Sequence, residues 1–380
     1  MENSEIIGKR IRAEREKRGL SQTKLAEAVG WNTHQIVLNV ESGQREVKAW
    51  ELAKIAKFLG VHLVDLLEET STEKPMPYVL WREVPAEKEP EIRSQFLKHC
   101  EDYHFLEKAL GLSNQSIKPL PMLDVNIIEL KYEDAEEQAN FIREAFNLGH
   151  YPAVTLAKTL EDYFGIKFLQ FDLGNNGSAA STKSDLGVCV LVNSCEIPWR
   201  QNFSVAHELF HILTWNETLF KQREQDTEFK DKNEKLANAF AAGLLMPEEA
   251  MREEMRRVGG RGECQVSDLV AIARKFDVST KALLYRLKNL GFITTETRDK
   301  LQDDPEFQNL DKLSNQKQAC AANRLGERFI RLGYQAFNRE IISRARLAEI
   351  LDVPLASLKR HLEEKGLPES ASNEITLCHS

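Results

Sequence analysis

A chain of 380 residues with 42% hydrophobic and 29% charged residues has the composition of a soluble globular protein of two or three domains, which excludes a disordered chain. Its formal net charge of -8 excludes a protein that coats nucleic acid along its whole length, so any basic face must be local. Six cysteines, Cys100, Cys189, Cys195, Cys264, Cys320 and Cys378, stand without a CxxC pair, which points to reduced thiols and away from a disulfide framework or a cysteine metal knuckle. The start of the chain, "MENSEIIGKRIRAEREKRGL", has no apolar signal core, and no window approaches the roughly 18 apolar residues of a membrane span. The expectation is a cytoplasmic protein with no membrane partner.

Residues 1–69 read as a compact all-helical domain. Ile7, Ile11 and Leu20 begin an apolar pattern, and "SQTKLAEAVG" sets Leu25, Ala26 and Val29 on one face between a Ser21 cap and a Gly30 stop. A second short helix is expected from Thr33 to about Glu41 behind an Asn32 cap. "AWELAKIAKFLGVHLVDLL" then places Leu52, Ile55, Ala56 and Leu59 at helical spacing, and "EETSTEKPMP" loses periodicity as a flexible linker does.

Residues 70–134 read as linker and mixed segment without an assigned role, with "YVLWREV" as a strand and "EIRSQFLKHCEDYHFLEKALGL" as a helix carrying Phe96, Cys100, Tyr103 and Leu106 near one face. Residues 135–255 read as two helices, two strands ("IKFLQFDL" and "GVCVLVNS") and a further helix, an α+β order. In residues 256–367 "VSDLVAIARKFDVSTKALLYRLKNLGFI" and "ISRARLAEILDVPLASLKRHLEEKGL" each read helix, Asp-Val turn, helix, with a Ser279 cap in the first. Such pairs are common packing units, and packing is favoured for them over DNA reading. The tail, 368–380, is polar and expected to be disordered. The fold class expected is α+β and mostly helical.

The chemistry concentrates in "FSVAHELFHILTW", residues 203–215. Positions i and i+4 share a helix face, so His207 and His211 can present imidazole nitrogens to one point, while Glu208 projects from the neighbouring angle as a candidate base. The competing reading is a buried helix on which two histidines fell by chance, and a third ligand decides between them. "NEKLANAFAAGLLMPEE" supplies one: Glu234 stands near the start of a helix whose alanines allow close approach. Two imidazoles and a carboxylate suit one zinc ion with a fourth position left for water, manganese being the alternative.

These two segments together resemble the ImmA/IrrE family of metallo-endopeptidases, whose hallmark is an HExxH helix followed by one reading E-x-x-A-N and F-A-x-x-L-L-M-P, over about residues 135–250. The resemblance implies a zincin-like domain in which His207, His211 and Glu234 hold zinc and Glu208 is the catalytic acid/base. It also implies an intracellular protease that cuts a repressor-type DNA-binding protein and so relieves repression, in phage, mobile-element or stress circuits. Strand "GVCVLVN" is a candidate for pairing with an extended substrate, its alternative being a buried core strand.

"LSQ", "LAEAVG", "ESG" and "ELAKIAKFLGV" resemble the Xre-type helix-turn-helix family, the fold of the lambda-like phage repressors, over residues 6–68. That fold lays its second helix in the major groove. The resemblance brings Thr33, His34 and Gln35 to base edges with Asn39 one turn on, and gives Gln22, Arg45 and Lys48 to phosphates. Gly30 to Glu41 is one residue longer than the family's usual spacing, so a shifted or bulged recognition helix is expected. In residues 1–69 Lys and Arg match Asp and Glu in number, and a homodimer is expected to be needed for tight operator binding. The combined reading is a DNA-associated zinc endopeptidase acting on a repressor-type protein or on itself. The alternative is a transcriptional regulator whose peptidase-like domain is a sensor without proteolytic activity.

Overall fold

The computed structural model describes residues 2–67, 76–82, 88–112, 118–174, 177–260, 264–305, 307–309 and 324–367, so residues 68–75 of the expected linker and the expected tail lie outside the described residues. The protein is α+β and mostly helical.

Five helices form the N-terminal unit: α1 (Glu2–Lys17), α2 (Gln22–Val29), α3 (His34–Glu41), α4 (Ala49–Leu59) and α5 (Leu63–Leu67). The apolar faces read from the sequence meet in one core that includes Ile11, Leu25, Val37, Val40, Ile55 and Leu59. Ser21 caps α2 by accepting the Lys24 N–H at 3.2 Å, and Gly30 ends it with φ 87°. Beneath the turn Arg15 pairs with Glu41 at 2.6 Å, and the Gln22 amide donates to the same carboxylate at 2.8 Å. Two expectations change. Thr33, in extended conformation, holds the N-cap position of α3 in place of Asn32, and the helix runs without a break from His34 to Glu41, so the extra residue makes no bulge.

The sheet joins β1 (Leu80–Arg82), β2 (Lys167–Phe171), β3 (Ala179–Ser184), β4 (Gly187–Asn193) and β5 (Arg324–Leu325) in the order β1-β3-β4-β2-β5. β2 and β4 are parallel; the other pairings are antiparallel. β4 is an unbroken apolar run because both its faces are covered. Val190 and Val192 face the core around α9 (Pro198–Leu213), while Cys189 and Leu191 face α6 (Glu89–Ala109). Both edges of β4 are also occupied, by β3 and β2, so this strand is the core strand of the two alternatives and has no edge to offer a substrate.

Around that sheet lie α7 (Tyr132–Ala145), α8 (Leu156–Phe164), α10 (Glu217–Gln222), α11 (Thr227–Leu245), α12 (Glu248–Gly259), α13 (Val266–Lys275) and α14 (Thr280–Asn289). Small residues let α11 sit tightly against its neighbours: a Cβ on Gly243 would lie 3.1 Å from Glu136 of α7, and Ala237 and Ala241 are fully buried. One core runs from Leu123 to Phe307 and takes in Phe276, Leu283 and Leu287 of the α13–α14 region, so it continues past residue 255. Arg286, fully buried, ties α14 to the end of α11 by donating to the Met246 carbonyl at 3.0 Å. Ser279 caps α14, and the two Asp-Val turns bend at Asp277 (φ 51°) and Asp352 (φ 52°).

Helix α6 is the hub. Phe96, Leu97 and Cys100 cover the sheet, and Tyr103, Leu106 and Leu110 pack with the C-terminal helices Glu327–Asn338, Arg344–Ile350 and Leu358–Glu364. Its first half receives the N-terminal unit: Ser94 Oγ donates to the Leu59 carbonyl, Arg18 donates to Ser94 at 2.9 Å, and Lys24 pairs with Glu91 at 3.2 Å. Gly60 (φ 62°) is required at this contact, since a Cβ there would fall 2.5 Å from the Ser94 carbonyl oxygen. His62 lies 2.8 Å from Arg346, which also donates to Asp102 at 2.9 Å. The N-terminal unit is therefore seated by side chains as well as tethered by its linker. Cys195 is disulfide-bonded, against the expectation of reduced thiols throughout; Cys100, Cys189 and Cys264 are free. Among the described residues no helix is long and apolar enough to cross a membrane.

Candidate metal centre and nucleic-acid interface

Proline at the first turn and an apolar helical repeat make α9 a helix, and from Ser204 to Leu213 every residue on it is buried between the sheet and α11. His207 and His211 thus leave water on the face that meets α11, where Glu234 waits; Phe240, two turns further on, packs against Phe210 at a ring-centroid distance of 5.6 Å. The three donors close a small triangle. His207 Nε2 lies 3.1 Å from His211 Nε2 and 3.2 Å from Glu234 Oε2, and His211 Nε2 lies 3.3 Å from Glu234 Oε1. Donors about 2.0–2.2 Å from a common tetrahedral centre are separated by about 3.3–3.6 Å, so the triangle fits a zinc-sized cation.

Each imidazole is held from behind. His207 Nδ1 lies 3.0 Å from Asn238 Oδ1, an arrangement that keeps the proton on Nδ1 and leaves the Nε2 lone pair for a metal. His211 Nδ1 faces the Asn233 amide at 3.4 Å, and Asn233 Oδ1 is buried without a partner. Turning that amide over places Oδ1 against Nδ1 and satisfies both groups, giving His211 the same tautomer. Burial pulls the pKa of His207 down to about 4, so the ring is neutral, as a ligand must be. Burial opposes ionisation of Glu234, but its hydrogen bonds to the two histidines outweigh this and hold its carboxyl well below the usual carboxylate range. Asn238→Ala should therefore weaken zinc binding about 10–100-fold, as read by competition with a chromogenic chelator.

Glu208 is fully buried and neither carboxylate oxygen has a hydrogen bond of ordinary geometry, though the Ser181 hydroxyl approaches it; burial raises its pKa to about 7. An orphan carboxyl next to a ligand is poised to exchange a proton with a water at the centre. One wall of the opening is β1, an edge strand whose Leu80, Trp81 and Arg82 line the same cavity as Glu234 and Asn238. Residues 70–134 thus reach the centre. "YVLWREV" signals the strand in the sequence, but its pairing with β3, about a hundred residues downstream, has no local sign.

On the N-terminal unit Thr33, His34 and Gln35 are exposed at the start of α3, and Gln35 bonds Asn39 at 3.3 Å. Lys48 is exposed at the head of α4. Gln22 and Arg45 are engaged within the unit: Gln22 donates to Glu41, and Arg45 pairs with Glu51 at 2.7 Å while stacking 4.9 Å from the Trp31 ring centroid. A phosphate contact by either would require exchange of these bonds.

Residues 161–288 match the IrrE N-terminal-like domain, and residues 11–66 match a helix-turn-helix. Over 102 residues the chain is 35% identical to the radiation response metalloprotease IrrE of Deinococcus deserti and 34% identical to that of Deinococcus radiodurans. Each match takes in 26% of this chain and 35% or 30% of the relative, so the chain spans about a third of the length of the curated relatives it matches. A Mycobacterium tuberculosis transcriptional regulator is a loose structural neighbour, with a TM-score of 0.32 at 17% identity over 49% of this chain and 51% of that one, and carries no functional weight. By these matches residues 11–66 are similar to a helix-turn-helix and residues 161–288 to the IrrE N-terminal-like domain, in the order that the sequence motifs suggest.

Proposed function

We propose that the protein is a DNA-associated, zinc-dependent endopeptidase whose substrate is a repressor-type protein or the chain itself, in a stress-response circuit. The observation that carries this reading is the triangle of His207, His211 and Glu234 beside the orphan carboxyl of Glu208. A zinc ion held by the three donors supplies Lewis acidity, acidifying a water and polarising a carbonyl. Glu208 takes the proton of the attacking water and passes it to the leaving amine, and its buried, near-neutral pKa suits both transfers. Asn238 and Asn233 hold the imidazoles in place, and the apolar core packs around the buried histidines. The name of the Deinococcus relatives, radiation response metalloprotease, supports the stress setting. The test is to incubate zinc-loaded protein with operator DNA and candidate repressors and to map fragments by mass spectrometry. Fragments should appear with wild type and vanish with Glu208→Gln; a wild type yielding none with any repressor would refute the proteolytic reading.

A second reading, a regulator whose peptidase-like domain only senses, is favoured by the seating of the N-terminal unit on α6. It requires operator affinity to change between zinc-loaded and metal-free protein in the Glu208→Gln variant. Under either reading α3 reads DNA. Gln35→Ala should then cost about 1–3 kcal/mol on the specific operator and little on random DNA, and equal loss on every sequence would sink base reading.

A further inference from the structure

Hydrolysis of an amide places negative charge on the carbonyl oxygen, and a site of this kind needs a donor aimed at it. None of His207, Glu208, His211 and Glu234 is free to provide one. Arg82 is. It lies outside the segment that matches the IrrE-like domain, at the end of β1, where pairing with Ala179 of β3 brings it alongside α9. Its Nη1 donates to Ser204 Oγ at 3.3 Å and its Cζ stands 5.6 Å from the Phe203 ring centroid. Ser204 precedes His207 and Glu208 by one helical turn, on the same face. The side chain lines the cavity that Glu234 and Asn238 also line.

Other cations of that cavity are engaged or remote. Arg93 pairs with Glu89 at 2.5 Å, Arg223 pairs with Asp226 at 2.9 Å, and Lys230 is exposed at the rim. Arg82 touches a hydroxyl and a ring and, among the described residues, forms no direct ion pair, although its charge also acts on Glu196, which Ser204 Oγ reaches at 3.5 Å.

We propose that Arg82 is a catalytic residue that binds the oxygen of the scissile carbonyl as it gains negative charge. This rests on the metallopeptidase reading. Water oxygen bonds to the carbonyl carbon as its proton passes to Glu208. The carbon–nitrogen bond then breaks and Glu208 returns the proton to the amine; Arg82 stays protonated throughout and neither gives nor takes a proton. The guanidinium is pre-positioned by Ser204 and by the β1–β3 ladder, so little reorganisation accompanies the charge.

The experiment uses the full chain loaded with cobalt(II), whose visible spectrum reports ligands at the metal, with inorganic phosphate as a tetrahedral anionic probe. Wild type, Arg82→Lys and Arg82→Ala should take up equal cobalt. The phosphate Kd should rise about 10–100-fold in Arg82→Ala, as expected for loss of a charge-assisted hydrogen bond, and less in Arg82→Lys. On the peptide defined by fragment mapping, kcat should fall about 100–1000-fold in Arg82→Ala with KM changed little. Equal phosphate binding in wild type and Arg82→Ala, or a rise in KM alone, would overturn the role of Arg82 and leave the metallopeptidase reading standing. A wild type that takes up no cobalt would overturn that reading, and the role of Arg82 with it; so would a wild-type spectrum indifferent to phosphate for Arg82 alone.

Discussion

Replacing His207 with alanine should strip the protein of stoichiometric zinc while leaving it folded, whereas Glu208→Gln should keep the metal and lose about 10²–10⁴-fold in turnover. The difference follows from position. His207 supplies one corner of a triangle whose sides are 3.1–3.3 Å, so its loss leaves two donors, while Glu208 contributes none of the three. Ligand linkage gives a second readout: zinc at a thousand times its Kd adds about 4 kcal/mol to stability. A chelator should therefore lower the Tm of wild type and of Glu208→Gln and leave His207→Ala unmoved. Elemental analysis decides the matter, and zinc retained by a His207→Ala, His211→Ala double variant would rule out the site.

Arg15→Leu should destabilise the N-terminal unit by about 3–5 kcal/mol, enough to unfold many small helical domains. Arg15 and Glu41 have side chains only 9% and 4% exposed, and Arg15 also donates to the Leu20 carbonyl at 2.9 Å. Removing the guanidinium leaves the Glu41 carboxylate buried with the Gln22 amide for company. Arg15→Leu combined with Glu41→Leu should recover much of the loss, because no buried charge is then left alone. Urea unfolding of the two variants measures this. A double variant no more stable than the single one would show that the stranded charge is not the cause.

What could be read from the sequence was what is local. Ser21, Gly30 and Ser279 mark helix ends through bonds within a few residues of themselves. The spacing of His207, Glu208 and His211 lies within one helix, and the alanines after Glu234 announce close helix packing. Asn238, one turn after Glu234, is equally local. Non-local features gave no such sign. Periodicity shows that β4 is buried without showing how many strands flank it, so an interior strand passes for one open to a substrate. Nothing in "EIRSQFLKHCEDYHFL" shows that its successive turns meet the N-terminal unit, the sheet and the C-terminal helices. Arg82 is one arginine among many until β1 finds β3.

The sheet has two faces, and the segment that matches the IrrE-like domain carries the cover for one of them, α9. The other cover, α6, is drawn from residues 89–109 and lies on Leu169, Phe171, Cys189 and Leu191. A fragment trimmed to residues 161–288 would bare those side chains to water and leave the β3 edge without its partner strand, a combination that invites sheet-to-sheet aggregation. The smallest self-standing portion of this protein should thus be larger than the matching segment, its solubility as an isolated piece depending on a helix that lies outside residues 161–288.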